Sequence, residues 1–260
     1  MFNAYEFLFN GESSLTYDLM LYDYNGKGQS DIPFGNQANI LEVRPQKRVQ
    51  PIHFGVDYNS HPLEFTLVFG ADHYLTRQEL EKISFWLTGH QEYKWLSIVQ
   101  DDLSHVQFKC LFTKLTPISH GWLPVAFEAT VRCDCPYAYG LPFQESYDIS
   151  GETQLTIQNE GTVHEYFKPN LVFTTSDVGG LSIVNHSDGD REFLIADLPS
   201  VAEISIDNRN GIILDTTFGT NLYGGFNANF FRMVPGENSL TVTGSGTLII
   251  SGRFLHNVAG

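Results

Sequence analysis

Apolar and polar residues alternate along most of the first 133 positions. "LTYDLMLYDY" (15–24), "PLEFTLVFG" (62–70), "YKWLSIVQ" (93–100), "HVQFKCLF" (105–112) and "LPVAFEATVRC" (123–133) each repeat with a period of two. That period puts alternate side chains on opposite faces of a strand. Between them "LTRQELEKISFWLTGH" (75–90) changes period. Thr76 and Glu79 have the T-x-x-E spacing of a capping box, and Leu80, Ile83 and Leu87 form one apolar stripe with Trp86 beside it. A helix near 76–88 follows, stopped at Gly89.

The pattern breaks at "CPYAYGLPFQES", where two prolines and a glycine fall close together, so a domain boundary is expected near 140–147. Beyond it come short alternating runs separated by Gly, Asn and Asp, among them "NLVFTT", "GLSIVN", "EFLIAD" and "AEISIDN". Such spacing predicts a β-sandwich or jelly roll. "VPGENSLTVTGSGTLIISGRF" (234–254) reads as a turn at Pro235–Gly236 leading into two strands, joined as a hairpin through Gly244-Ser245-Gly246. The expected architecture is all-β with one helix, in two domains, 1–140 and 147–260.

Composition narrows the function. Apolar residues make up 42% and charged ones 17%, with 20 phenylalanines, which suits a β-rich globular chain. A net charge of −15 argues against tight binding to a phosphate backbone or an anionic membrane. The opening "MFNAYEFLFNGESS" has neither a basic leader nor a long apolar run, and no stretch reaches the roughly 18 apolar residues of a membrane span. Cytosolic synthesis is the expectation.

No constellation points to catalysis or a cofactor. Cys133 and Cys135 in "VRCDCP" lack the spacing and the second pair of a zinc site, and Cys110 stands alone, so the three thiols read as structural. The histidines are scattered, and "NHSDGD" (185–190) lacks the register and closing Glu of a calcium loop. No nucleophile elbow or phosphate-cradling loop occurs. All three tryptophans lie in the first half, which counts against a sugar platform in the second. One basic island, "VRPQKRVQP" (43–51), places Arg44, Lys47 and Arg48 between two prolines. It is either a solvated edge or a projecting arm that pairs with an acidic surface on a neighbouring subunit.

The order of these motifs resembles the distal tail (Dit) proteins of long, non-contractile-tailed bacteriophages. The likeness is carried by "FLFNGESSLTYDLMLYDY", "PLEFTLVFG", the capped helix ending "ISFWLTG", "VAFEATVRCDCPYAYG", "IQNEGTVHEYFKPNLVF", "ISIDN" and "VPGENSLTVTGSGTLIISGRF", and it spans essentially the whole chain. The segment "ILEVRPQKRVQPIHFGVDYNS" departs from the acidic, glycine-rich stretch often found there in the family. The resemblance implies a ring-forming N-terminal β-sandwich with a packed helix and a C-terminal galectin-like β-sandwich. It further implies a non-enzymatic virion protein without cofactors. Such a protein forms a homohexamer, single or stacked, at the distal end of the tail. It joins the tail-tube protein to tail-tip or receptor-binding proteins and leaves a channel for DNA. The alternative is a host-adhesion module whose C-terminal sandwich binds cell-wall saccharide.

Overall fold

The computed structural model describes residues 4–21, 38–58 and 61–258. The chain divides into two compact units, Met1–Tyr139 with His256–Gly260 and Gly140–Leu255, and each has its own hydrophobic core. Both are mostly antiparallel β-structure.

In the first unit, β1 (Phe7–Phe9) turns at Asn10–Gly11 into β2 (Glu12–Ser13). Asn10 and Gly11 have φ of 52° and 83°, the left-handed pair that a two-residue hairpin turn requires. The alternating stretch that follows is not the strand its pattern predicts. Ser14–Tyr17 form a 3-10 turn, with the Ser13 hydroxyl accepting from the Leu15 amide (3.1 Å) and Ser14 Oγ from the Phe7 amide (3.3 Å). Serine side chains here offer the backbone a local alternative to a ladder. Only β3 (Met20–Leu21) is extended, and positions 22–24 lie outside the described residues. Leu15 is exposed, but from residue 17 on the odd-numbered positions point inward: Tyr17 stacks on Trp86 at 4.4 Å, and Leu19 and Leu21 are buried.

Two further strands, β4 (Ala38–Val43) and β5 (Ile52–Tyr58), pair among the described residues only with each other. Next come β6 (Glu64–Gly70), β7 (Lys94–Ile98), β8 (Val106–His120) and β9 (Leu123–Cys133). They complete an antiparallel sheet in the order β2-β1-β7-β8-β9-β6-β3, and the short β10 (Ala138–Gly140) follows. The helix α1 (Arg77–Thr88) starts with the predicted box: the Glu79 amide donates to Thr76 Oγ1 (3.3 Å) and the Thr76 amide to Glu79 Oε2 (2.7 Å). Its buried Ile83, Trp86 and Leu87 enter the core, where Trp86 stacks on Phe7 at 5.6 Å and donates from Nε1 to the Phe9 carbonyl at 3.3 Å. Side-chain packing and one hydrogen bond thus fix the helix on the first strand.

The second unit contains β11 (Phe143–Asn159), β12 (Asn170–Thr175), β13 (Gly179–Asn185), β14 (Arg191–Leu198), β15 (Glu203–Asp207), β16 (Ile212–Asp215) and β17 (Gly236–Gly252), and β18 (Leu255–His256) ends the chain's strands. Its sheet runs β14-β13-β17-β12-β15-β16, with β11 against the other side of β17, consistent with a sandwich-like fold. The predicted hairpin at 244–246 is instead one unbroken strand. All 17 residues of β17 pair with β11, while residues 240–243 pair with β13 and 246–251 with β12. Gly246 sits where β17 passes from one neighbour to the next, with φ of 151°, and a Cβ there would lie 2.1 Å from the Thr174 carbonyl oxygen. Glycine inside a strand marks close backbone approach as readily as it marks a turn.

Buried asparagines tie the loops to this sheet. Asn238, the Asn of "PGEN", has no solvent exposure. Its Oδ1 accepts from the Val234 amide (2.8 Å) and Asn185 Nδ2 (2.9 Å), and its Nδ2 donates to the carbonyls of Val234 (2.9 Å) and Gly236 (3.0 Å). Asn208 receives the Phe231 amide (2.9 Å) and donates to the Pro169 carbonyl (2.7 Å). Asp215 likewise organises the turn after β16, accepting from the amides of Phe218 (2.9 Å), Thr217 (3.0 Å) and Thr220 (3.2 Å). The Phe218 amide above all, then Thr220 and Thr217, holds its carboxyl below the ordinary carboxylate range.

Replacing Asn238 with Leu strands several buried polar groups at once, so calorimetry is expected to show the second unit destabilised by about 2–4 kcal/mol. For Asp215 the depressed folded pKa means that its stabilisation is present above the unfolded value of about 4 and lost as pH falls through the lower folded value. The stability gap between the wild type and Asp215→Asn is therefore expected to narrow on acidification, read from denaturation midpoints across a pH series.

Candidate assembly surface

The hairpin of β4 and β5 is the most unusual feature of the first unit. Cross-strand neighbours are Ile40 and Val56, Glu42 and His53, and Val43 and Ile52, with a bulge between Leu41 and Glu42. Alternation of this kind normally buries one face. Here every described side chain from Asn39 to Asp57 is exposed except Pro45 and Gly55, which are half-buried. Ile40, Leu41, Val43, Val49, Ile52, Phe54 and Val56 all meet solvent, with Val49 at 85% and Phe54 at 67%. A two-stranded hairpin without a covered face is marginal in water, and this many exposed apolar side chains on one hairpin mark an interaction site.

The three basic residues sit at the tip of this hairpin. The Arg48 amide donates to the Pro45 carbonyl at 3.2 Å, closing a four-residue turn in which Lys47 is left-handed (φ 68°). Arg44 Nε reaches the Arg48 carbonyl at 3.4 Å. No ion pair within 4 Å engages Arg44, Lys47 or Arg48 among the described residues. The structure therefore brings the three cations together on one projecting turn. The basic letters between prolines were visible in the sequence; the exposure of the apolar residues beside them was not, because alternation reads the same whichever chain covers the apolar face. A second projection is the tip of the β8–β9 hairpin, where Trp122 has φ of 74° and is 98% exposed.

The other candidate residues have structural surroundings. Cys110 and Cys133 lie directly opposite each other on β8 and β9, both fully buried, and burial pushes both thiols far up. Cys135 lies past the strand end and donates to the Tyr137 carbonyl at 3.2 Å. In "NHSDGD" Asn185 caps a 3-10 turn, and Asp188 takes both Nε (2.6 Å) and Nη2 (3.1 Å) of Arg232, whose guanidinium lies 3.6 Å from the centre of the Tyr166 ring. Phe231 is buried in the second core, with Phe226 and Phe230 packed against it. Among the described residues no group of three or more His, Cys, Asp or Glu is placed to hold a metal ion.

Comparison with known proteins gives this surface its setting. Residues 2–135 match the family described as "Phage tail protein N-terminal domain", and residues 137–251 match "Phage tail C-terminal domain". No curated protein matches the chain by sequence. Among solved structures, the SPP1 Dit (gp 19.1) protein aligns over 97% of this chain and 100% of its own, with a TM-score of 0.73 at 11% identity. That protein is described as a paradigm of hub adsorption apparatus in phages infecting Gram-positive hosts. Chains of the phage P2 baseplate in its activated conformation, with Ca and with Sr, align over 96% of this chain and 98% and 97% of their own, at a TM-score of 0.50 and 10% identity. The fold is thus that of a distal tail protein, and with both of its halves matched the chain belongs to the phage tail protein family and is a structural component of the virion tail.

Proposed function

We propose that this chain is the hub at the distal end of a phage tail. Six copies close into a ring through their first units, with the β4–β5 hairpin of each copy laid on its neighbour. The ring joins the tail tube to tail-tip or receptor-binding proteins and leaves a central path for DNA. The second units, galectin-like in architecture, serve as docking bodies, and the protein catalyses nothing. The observation that carries this reading is the hairpin itself: seven apolar side chains on a projecting arm with three cations at its tip, in a chain of net charge −15. A closed ring covers such an arm on every copy without leaving an open end to aggregate. Net acidity suits a channel that must let DNA pass, through like-charge repulsion.

Light scattering on a sizing column, with negative-stain images of the peak, is expected to give a six-fold ring, single or stacked. A monomer at every concentration and salt, without affinity for tail-tube or tip proteins, would overturn the hub reading. For the arm, the triple change Arg44→Gln, Lys47→Gln and Arg48→Gln is expected to weaken assembly more at low salt than at high salt. Screening at about 1 M salt, with a Debye length of about 3 Å, already removes most of the attraction. Equal assembly at low salt would leave the cations as solvated edge residues.

A further inference from the structure

The sheet of the second unit has three free borders: β14, β16 and β11. The chain covers two of them itself. At β16 the Ile213 amide donates to the Tyr223 hydroxyl at 3.0 Å. At β14 the Asn227 amide reaches the Leu194 carbonyl (3.1 Å), its Nδ2 reaches the Glu192 carbonyl (3.0 Å), and Phe226 bridges Ile195. Along the 17 residues of β11, by contrast, no backbone group among the described residues pairs with the outer border.

The direction of the free groups follows from β17. The Ser245 carbonyl accepts the Ser176 amide, and the Ser239 amide donates to Ser187 Oγ, both on the side away from β11. In an antiparallel ladder alternate residues bond to alternate neighbours, so the even-numbered residues of β17 face β11. Through pairs such as Tyr147 with Leu248, the odd-numbered residues of β11 are the bonded ones. The even-numbered residues from Gln144 to Gln158 therefore aim their N–H and C=O groups outward.

Side-chain chemistry narrows what fits there. On one face Ile149 and Ile157 are buried and Tyr147 and Leu155 pack against the core. On the other, Asp148 and Glu152 stand four residues apart, about 13 Å along a strand. Residues 143–160 include Glu145, Asp148, Glu152 and Glu160 and no Lys or Arg, and β17 adds Glu237 and no cation. A second copy of β11 is disfavoured as the partner, since the same carboxylates would face each other.

We propose that β11 is a docking edge for strand addition by an extended segment of another tail protein, one that alternates apolar residues with Lys or Arg. Main-chain bonds supply the affinity and the two carboxylates the selectivity. The inference does not depend on the ring.

The test uses the full chain and two synthetic peptides of about twelve residues, one alternating Val and Thr with Lys, the other with Glu, followed by fluorescence anisotropy up to ~1 mM. The Lys peptide is expected to bind and to slow hydrogen exchange of the 144–158 amides, and the Glu peptide to do neither. Ser146→Pro deletes one outward N–H at a position where an edge strand tolerates proline, and is expected to weaken binding roughly tenfold with the melting temperature kept. Asp148→Lys with Glu152→Lys is expected to switch preference to the Glu peptide, a result that misfolding cannot produce. No binding of the Lys peptide, protection elsewhere in the chain, or undiminished binding to Ser146→Pro would each overturn the proposal.

Discussion

Asn238 is the point on which the second unit turns. A side chain with one acceptor and one donor group is placed near the start of β17, one of the two 17-residue strands, sealed from water, and every bonding site it offers is used. In a low-dielectric interior such a group stabilises only when fully satisfied, which forces the loop 234–238 and the end of β13 into a single arrangement. From there β17 runs beside β11 for its whole length and supplies a partner first to β13 and then to β12. Position 246 has to be glycine for that passage, so Asn238 and the crossing at Gly246 jointly decide which strands become neighbours.

The first unit solves the same problem with apolar contacts. Trp86 links the only α-helix of the described residues to β1 by stacking and by one indole hydrogen bond, and Tyr17 covers its other face. Cys110 and Cys133 belong to the same core. With the interior closed by such residues, the hairpin of β4 and β5 is left out of the core altogether. Seven exposed apolar side chains on that one hairpin are what suit it to the assembly role proposed for it.

Much of this was legible in the letters. Thr76 with Glu79 announced the helix start and Pro235-Gly236 a turn, because each carries its own local geometry. What failed were inferences from period alone. The stretch 15–21 alternates, yet Ser13 and Ser14 bond back to the backbone and curl it. Gly244-Ser245-Gly246 looks like a hairpin loop, yet non-local pairing with β12, some 70 residues earlier in the chain, keeps it extended. The arm was half visible: Arg44, Lys47 and Arg48 stood out by charge, while nothing in the sequence marked Ile40, Val49 and Phe54 as exposed. Periodicity reports that a face is apolar and says nothing about which molecule covers it.

The placement of sulfur has a consequence for the life of the particle. A virion leaves the cell that made it and persists where oxidants are unopposed by cellular reductants. Cys110 and Cys133 have no access to solvent, and Cys135 spends its proton on the Tyr137 carbonyl. In the proposed ring, neighbouring copies would thus offer one another no ready thiolate for exchange. The joints of such a ring would stay non-covalent however long the particle waits for a host, and non-covalent joints keep the ability to rearrange.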